Sequence, residues 1–314
     1  MAAPQRVLVR LPNWLGDVLL ARPLLHRLRA ALPSARLAAV APEPLLALMA
    51  ADGVVDDAHA WPHDGRGRAR VTAAVRAWRP DVALVLPPSF SSAWLAWRSG
   101  ARERIGYAHE GRGLLLTRAL PRPARGTRHL ADEYLELGRA WGVVPGGAAA
   151  ANPTGIAALR LPGAVRSAGE SLRARLGVEP QGFAVLGPGA IFGPAKRWPA
   201  ARYAAIGRLL AARGVRVLVC GTREEAEVCE AVAREAGDGA RSLAGSTSLA
   251  ELAGLCADAR LAVCNDSGLA HLAAALGVPT VAVFGSTSSA IVPACGTTSC
   301  NNSTRFPSSA AIRK

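Results

Sequence analysis

Residues 7–17 read Val-Leu-Val-Arg-Leu-Pro-Asn-Trp-Leu-Gly-Asp, and this stretch decides the fold. Val7 to Pro12 is apolar but for Arg10, without the alternation of a half-wet strand, so it reads as a strand buried on both faces. Asn13 to Gly16 reads as a turn, and Asp17 opens an apolar-periodic stretch reaching about Ala31, the pattern of a helix. Further out the design repeats. Leu37–Ala41 reads as a second strand, followed by a Pro-Glu-Pro helix start, and Val82–Leu86 is another continuous apolar run. After a Gly/Ala/Pro-rich stretch over about 142–168, the candidate linker, the alternation restarts. Strands are expected at Phe183–Leu186, Val215–Cys220, Leu261–Cys264 and Thr280–Phe284. Helices are expected at about 200–212, 224–236, 249–259 and 269–276. Apolar strands alternating with helices predict parallel sheets covered on both faces, hence two Rossmann-like α/β domains facing each other.

The chain has 314 residues, half of them hydrophobic and 19% charged, which is ample for buried cores and excludes a disordered protein. Its apolar runs break well before the ~18 residues of a spanning helix, and Met1–Arg10 has no leader pattern, so neither membrane spanning nor secretion is expected. The six Cys, at 220, 229, 256, 264, 295 and 300, contain no CxxC, which argues against a zinc site or a disulfide framework and fits a reducing cytoplasm. The net charge is +14, and only Lys196 and Lys314 are Lys. Residues 1–160 carry 21 Arg against 12 acids, a charge of +9. A basic N-terminal half suits an anionic partner such as a phosphorylated lipid or nucleotide, although pervasive Arg, Ala, Gly and Pro also has the look of a coding bias. With 5% aromatics and no nucleic-acid-binding signature, nucleic acid is not expected as a partner.

Four constellations can carry chemistry. Asn13-Trp14-Leu15-Gly16-Asp17 lies where a strand hands over to a helix, the edge at which open α/β sheets bind ligands. The helix dipole keeps a carboxylate there ionised, as a general base requires; Asp17 as a plain helix cap is the alternative. No GxGxxG follows the first strand, which disfavours a nicotinamide cofactor. The second constellation runs from Gly187-Pro188-Gly189-Ala190 to Gly193-Pro194-Ala195-Lys196-Arg197-Trp198-Pro199. Gly/Pro-rich backbone can approach a phosphate, and a lone Lys in an Arg-writing chain suggests a compact ammonium is wanted. The third, Asn265-Asp266-Ser267-Gly268-Leu269-Ala270-His271, would offer helix N-terminal amides to a diphosphate, or be a cap with a packed His. The fourth is Thr222-Arg223-Glu224-Glu225: either an acid for ribose hydroxyls or acids complementing a helix dipole.

Taken together these motifs resemble the ADP-heptose:lipopolysaccharide heptosyltransferases, glycosyltransferase family 9, with the closer likeness to its heptosyltransferase II branch. The matching stretches are Pro12–Asp17, Val85–Phe90, Pro188–Ala190, Phe192–Pro199 (FGPAKRWP), Leu243–Gly245 and Asn265–His271 (NDSGLAH). The resemblance implies an α/β GT-B fold, two Rossmann-like domains with parallel sheets facing across a cleft. An acceptor domain over 1–160 and an ADP-sugar domain over 161–288 would precede an atypical, disordered tail over 289–314. Asp17 would be the catalytic base and Lys196 the group that neutralises the departing diphosphate. Gly189, Glu225, Thr247, Asp266, Ser267, Gly268 and His271 would join Lys196 in holding ADP-L-glycero-D-manno-heptose. Asn13, Trp14, Gly16 and Ser89 would line the acceptor side.

The resemblance further implies inverting transfer to a phosphorylated heptosyl-Kdo2-lipid A acceptor, by a cytoplasmic monomer held peripherally on the inner membrane face. Neither cofactor nor metal is expected, in keeping with the lack of a DxD. Two departures stand out. Ile191 replaces an acid usual in close relatives. After Gly285 the chain turns Ser/Thr/Asn-rich and aperiodic, as a frameshifted or truncated end would. Another GT-B enzyme with a different nucleotide sugar, or an inactive nucleotide-binding truncation, are the competing readings.

Overall fold

The structure, a computed structural model, describes residues 5–124, 127–145, 157–190 and 197–284, and the backbone of 297–301. Two six-stranded sheets, all of whose pairings are parallel, organise these residues. The first contains β1 (Arg6–Arg10), β2 (Arg36–Ala41), β3 (Asp57–Ala60), β4 (Val82–Val85), β5 (Glu103–Ala108) and β6 (Arg118–Pro121), in the order β3-β2-β1-β4-β5-β6. The second contains β7 (Phe183–Gly187), β8 (Arg216–Val219), β9 (Ala240–Ser242), β10 (Leu261–Asn265), β11 (Thr280–Phe284) and β12 (Thr297–Asn301), in the order β12-β11-β10-β7-β8-β9. Each order reverses between two central strands, β1/β4 and β7/β10, so each sheet has one switch point. This is the doubly wound architecture expected, built twice, and together the two units form a GT-B-type fold.

Helices cover both faces of each sheet. The first unit has α1 (Leu15–Ala31), α2 (Glu43–Met49), α3 (Gly65–Trp78), α4 (Phe90–Arg98) and α5 (Leu130–Trp141). The second has α6 (Gly163–Leu176), α7 (Ala200–Ala211), α8 (Ala226–Ala236), α9 (Leu249–Ala257) and α10 (Gly268–Ala275). The near-continuous apolar strands explain the arrangement: β4 and β7 are buried along their whole length, and each sheet splits its buried residues between a core on either face. A fifth apolar cluster joins the two units, with Leu19 and Leu48 of α1 and α2 meeting Leu159, Val165, Ala253 and Leu272.

Two expectations need correction. The stretch read as a linker over 142–168 already carries α6 from Gly163, which passes so close to α9 that a Cβ on Gly169 would sit 2.2 Å from the carbonyl carbon of Gly254. Residues 146–156 of that stretch lie outside the described residues. The tail expected to be disordered contributes β12, paired in register with β11, Thr297 opposite Thr280. β11 would otherwise present open backbone groups that a β-branched segment can pair with. The remainder of 285–314 lies outside the described residues.

A buried ion cluster anchors α1. Arg22 donates from Nε and Nη2 to Asp52 at 2.7 and 2.8 Å and from Nη2 to the Ala157 carbonyl at 3.0 Å, while His26 Nε2 lies 3.2 Å from the same carboxylate. Burial works to raise the Asp52 pKa, but the hydrogen bonds and charges of His26 and Arg22 outweigh it and hold it at about 2, from 3.8. A depressed carboxyl stabilises the fold above its unfolded pKa, and that stability is lost as pH falls from 3.8 through about 2. Its size is about 2 kcal/mol. Asp52→Asn is therefore expected to flatten the acid limb of the stability curve between about pH 4 and 2, read by denaturant unfolding across pH. An unchanged limb would rule the cluster out as its source.

Candidate active site

Both switch points carry the motifs singled out in the sequence, and the fold sets them against each other. β1 ends at Arg10, and α1 begins at Leu15 with Trp14 at its N-cap and Asp17, half-buried, in its first turn. β10 ends at Asn265, and α10 begins at Gly268 with Ser267 at its N-cap. The two helix starts touch: a Cβ on Gly16 would sit 2.9 Å from His271 Cδ2, and one on Gly268 would sit 3.4 Å from Leu15 Cβ. Gly16 is therefore required by contact between the units, and Asp17 is its neighbour in the first turn of α1. His271 is buried, with Nε2 3.9 Å from Asp266 Oδ1. Tyr134 of α5 also faces this point: burial first, then the negative charge of Asp17, pushes its hydroxyl pKa well up.

Asn265 is fully buried and makes the site's most connected set of bonds. Its Nδ2 donates to the Pro188 carbonyl at 2.7 Å, while its Oδ1 accepts from the Trp198 amide at 3.0 Å and the Tyr203 hydroxyl at 2.9 Å. It thus ties the loop after β7 and the start of α7 to the end of β10. Lys196 and Ile191 lie between those two anchors, outside the described residues. Gly189 is buried against Glu225, whose carboxyl carbon would be 2.2 Å from a Cβ there. Glu225 itself accepts from the Thr222 amide at 2.8 Å, in a capping box at the start of the turn that leads into α8. The helix-start reading is thus the one its hydrogen bonds express, while its position behind Gly189 keeps it at the same loop. Thr247 is half-buried on the neighbouring loop, where Gly245 N donates to the Gly221 carbonyl at 3.1 Å.

On the first unit, Asn13 is exposed and accepts from Arg10 Nη2 at 2.6 Å. Trp14 is half exposed. Ser89 stands at the N-cap of α4, its hydroxyl 2.7 Å from Ser92 Oγ. β4 pairs with β1, Val85 opposite Arg10, so Ser89 shares an edge with Asn13 and Asp17. Two buried arginines, missed as site residues, hold this edge. Arg10 donates to the Leu11 and Val40 carbonyls and lies 5.1 Å above the Trp61 ring; burial first, then the nearby Arg68 charge, lowers its pKa to about 10. Arg112 donates to the Tyr107, Pro87 and Ser89 carbonyls. An arginine inside an apolar strand was the signal available for Arg10.

Also missed was a groove of about 580 Å³ beside this edge. Trp61, Arg68, Arg76, Ser91, Trp94 and Arg98 line it, and Ser91 Oγ lies 3.3 Å from Ser89 Oγ. Its lining is cationic and aromatic and contains no acid, a match for an anionic ligand with apolar or sugar faces. Among the described residues, no group of three His, Cys, Asp or Glu is placed to hold a metal ion.

Comparison with known proteins agrees with this geometry. The family model for glycosyltransferase family 9 (heptosyltransferase) matches residues 68–314. Lipopolysaccharide heptosyltransferase 2 of Salmonella typhimurium is 32% identical over 299 residues, 92% of this chain and 85% of its own length. The structure of Escherichia coli ADP-heptose lipopolysaccharide heptosyltransferase II aligns with TM-score 0.78 and 28% identity, over 94% of this chain and 90% of that one. The E. coli heptosyltransferase WaaC, solved with ADP, shares the fold with TM-score 0.68 and 22% identity, over 94% of this chain and 90% of that one. Two doubly wound units meeting where Gly16 of α1 packs on His271 of α10, in a chain that carries these likenesses along nearly its whole length, place it in glycosyltransferase family 9 as a heptosyltransferase.

Proposed function

We propose that the chain transfers L-glycero-D-manno-heptose from ADP-heptose to a heptosyl-Kdo2-lipid A acceptor in lipopolysaccharide core biosynthesis, with inversion at the anomeric carbon. The meeting of the α1 and α10 starts supports the reading, because Asp17 follows Gly16, the residue of one unit that packs on His271 of the other. Residues 1–160 hold the acceptor and 161–288 the donor. Asp17 takes the proton from the acceptor hydroxyl as its oxygen attacks the anomeric carbon. The bond from that carbon to the diphosphate breaks, and ADP departs with the electron pair. Fixed positive potential must meet that charge, and Lys196 with the amides at the start of α10 supplies it.

Asp266 and His271 orient that loop. Gly189 leaves room for backbone to approach the donor, and Glu225 and Thr247 face its nucleoside. The arginine groove takes the phosphorylated part of the acceptor, whose anionic sugars fit its lining. The protein works from the cytoplasmic face of the inner membrane as a peripheral monomer; no described helix is long and apolar enough to cross it.

The test offers ADP-heptose, UDP-sugars and GDP-sugars in turn with heptosyl-Kdo2-lipid A, and reads product by mass. A single added heptose from ADP-heptose alone is expected. Turnover of another nucleotide sugar would assign a different GT-B reaction. ADP binding without turnover would assign an inactive nucleotide binder.

A further inference from the structure

Helix α4 buries Ser92, Ala93, Leu95 and Ala96 against its sheet and turns Phe90, Trp94 and Trp97 outward, at i, i+4 and i+7. These three are 52, 45 and 43% exposed and stack on each other, ring centres 6.3 and 4.9 Å apart. The turn Arg112–Leu115 packs against the same helix and leaves Leu114 94% exposed. A contiguous apolar stripe of this kind has a use on a soluble face.

The charge around it is one-sided. Residues 65–102 contain Arg66, Arg68, Arg70, Arg76, Arg79, Arg98 and Arg102 against a single acid, Asp81. Asp81 is occupied at the far end of the sheet, accepting from the Gln5 and Arg6 amides. Tryptophan with a cationic rim suits the boundary between acyl chains and anionic headgroups, where the ring sits among glycerol groups and each arginine meets a phosphate.

We propose that the Phe90–Trp94–Trp97–Leu114 face docks the enzyme on an anionic lipid bilayer. The inference rests on the reading of a lipid-linked acceptor, and it places that acceptor's source beside the groove that Trp94 and Arg98 share with this face. A bilayer, rather than a protein partner, fits because Arg68, Arg76 and Arg98 of the adjoining groove share it with no acid that could set a register with a protein.

The test measures flotation of the full chain with phosphatidylglycerol/phosphatidylcholine vesicles, with phosphatidylcholine vesicles, and without lipid. Wild type is expected to float with the anionic vesicles and to be released at about 0.5 M salt. Trp97→Ser and Leu114→Ser should each weaken partitioning roughly tenfold, with Trp97→Phe largely restoring it and far-UV circular dichroism unchanged. Equal binding to phosphatidylcholine alone, no vesicle binding, or binding indifferent to both substitutions overturns the proposal. So does lipid-free dimerisation abolished by Trp97→Ser, which would make the face an interface between copies.

Transfer to a deacylated, water-soluble acceptor separates the two readings. Trp97→Ser should retain it, since neither Trp97 nor Leu114 lines the groove. Trp97-dependent vesicle binding by a chain that transfers no heptose would sink the assigned reaction and leave the docking face standing.

Discussion

Asp17→Asn is expected to lower heptose transfer by about 10³-fold while leaving ADP binding and the melting temperature nearly unchanged. Asn matches Asp in volume and still offers a side-chain oxygen at the first turn of α1, so the local helix start survives. What disappears is the carboxylate that accepts a proton. Without it the acceptor hydroxyl must attack while still protonated, and general-base catalysis is worth on the order of 10²–10⁴. The substitution also removes one of the charges that push the Tyr134 hydroxyl up, but burial is the larger cause, so Tyr134 stays neutral and cannot replace the base. Steady-state transfer from ADP-heptose, beside calorimetry with ADP, separates the outcomes. A mutant within tenfold of wild type would show that Asp17 only complements the dipole of its helix. A mutant that loses ADP binding as well would show that the carboxylate is structural.

How far this site could be read from sequence depends on how local each feature is. β1, β4, β7 and β10 announce themselves because buried parallel strands must be apolar along their length, and the motifs sit at their ends. β3 did not, because Asp57–Ala60 buries no residue fully and sets its polar Asp57 and His59 on the more buried side, with Ala58 and Ala60 exposed. α3 did not, because it buries only Val75 and is otherwise mostly arginine, glycine and alanine. The groove collects Trp61, Arg68, Arg76, Trp94 and Arg98 from a loop and two helices, so it exists only in three dimensions. Its arginines were further masked by a composition that writes Arg nearly everywhere, which gave the charge excess an innocent explanation. Glu225 shows the converse: the local rule for acids at helix starts describes its bonds, and only the fold reveals that the same carboxyl packs on Gly189.

Asn265 lies inside a recognised motif, yet its work is invisible there because its partners are 62 to 77 residues away. Asn265→Leu is expected to destabilise the fold by about 4 kcal/mol, because each buried group left unpaired costs ~1–3 kcal/mol. The groups stranded are the Pro188 carbonyl, the Trp198 amide and the Tyr203 hydroxyl, and Tyr203 is itself fully buried. Tyr203→Phe removes one partner and its own hydroxyl together, so it should cost only about 1 kcal/mol. Asn265→Asp separates anchoring from mere bulk. Its oxygens can still accept from Trp198 and Tyr203, but a carboxylate facing the Pro188 carbonyl repels it, so the loop after β7 should loosen while the start of α7 holds. Because that loop presents Gly189, and the anchored segment includes Lys196, the Asp variant should raise KM for ADP-heptose by about tenfold with a smaller fall in kcat. Denaturant unfolding of the single and double variants with Tyr203→Phe reads the coupling directly. A purely additive cycle, or an Asn265→Asp enzyme with unchanged KM, would mean that Asn265 fills space rather than holding the donor loop in place.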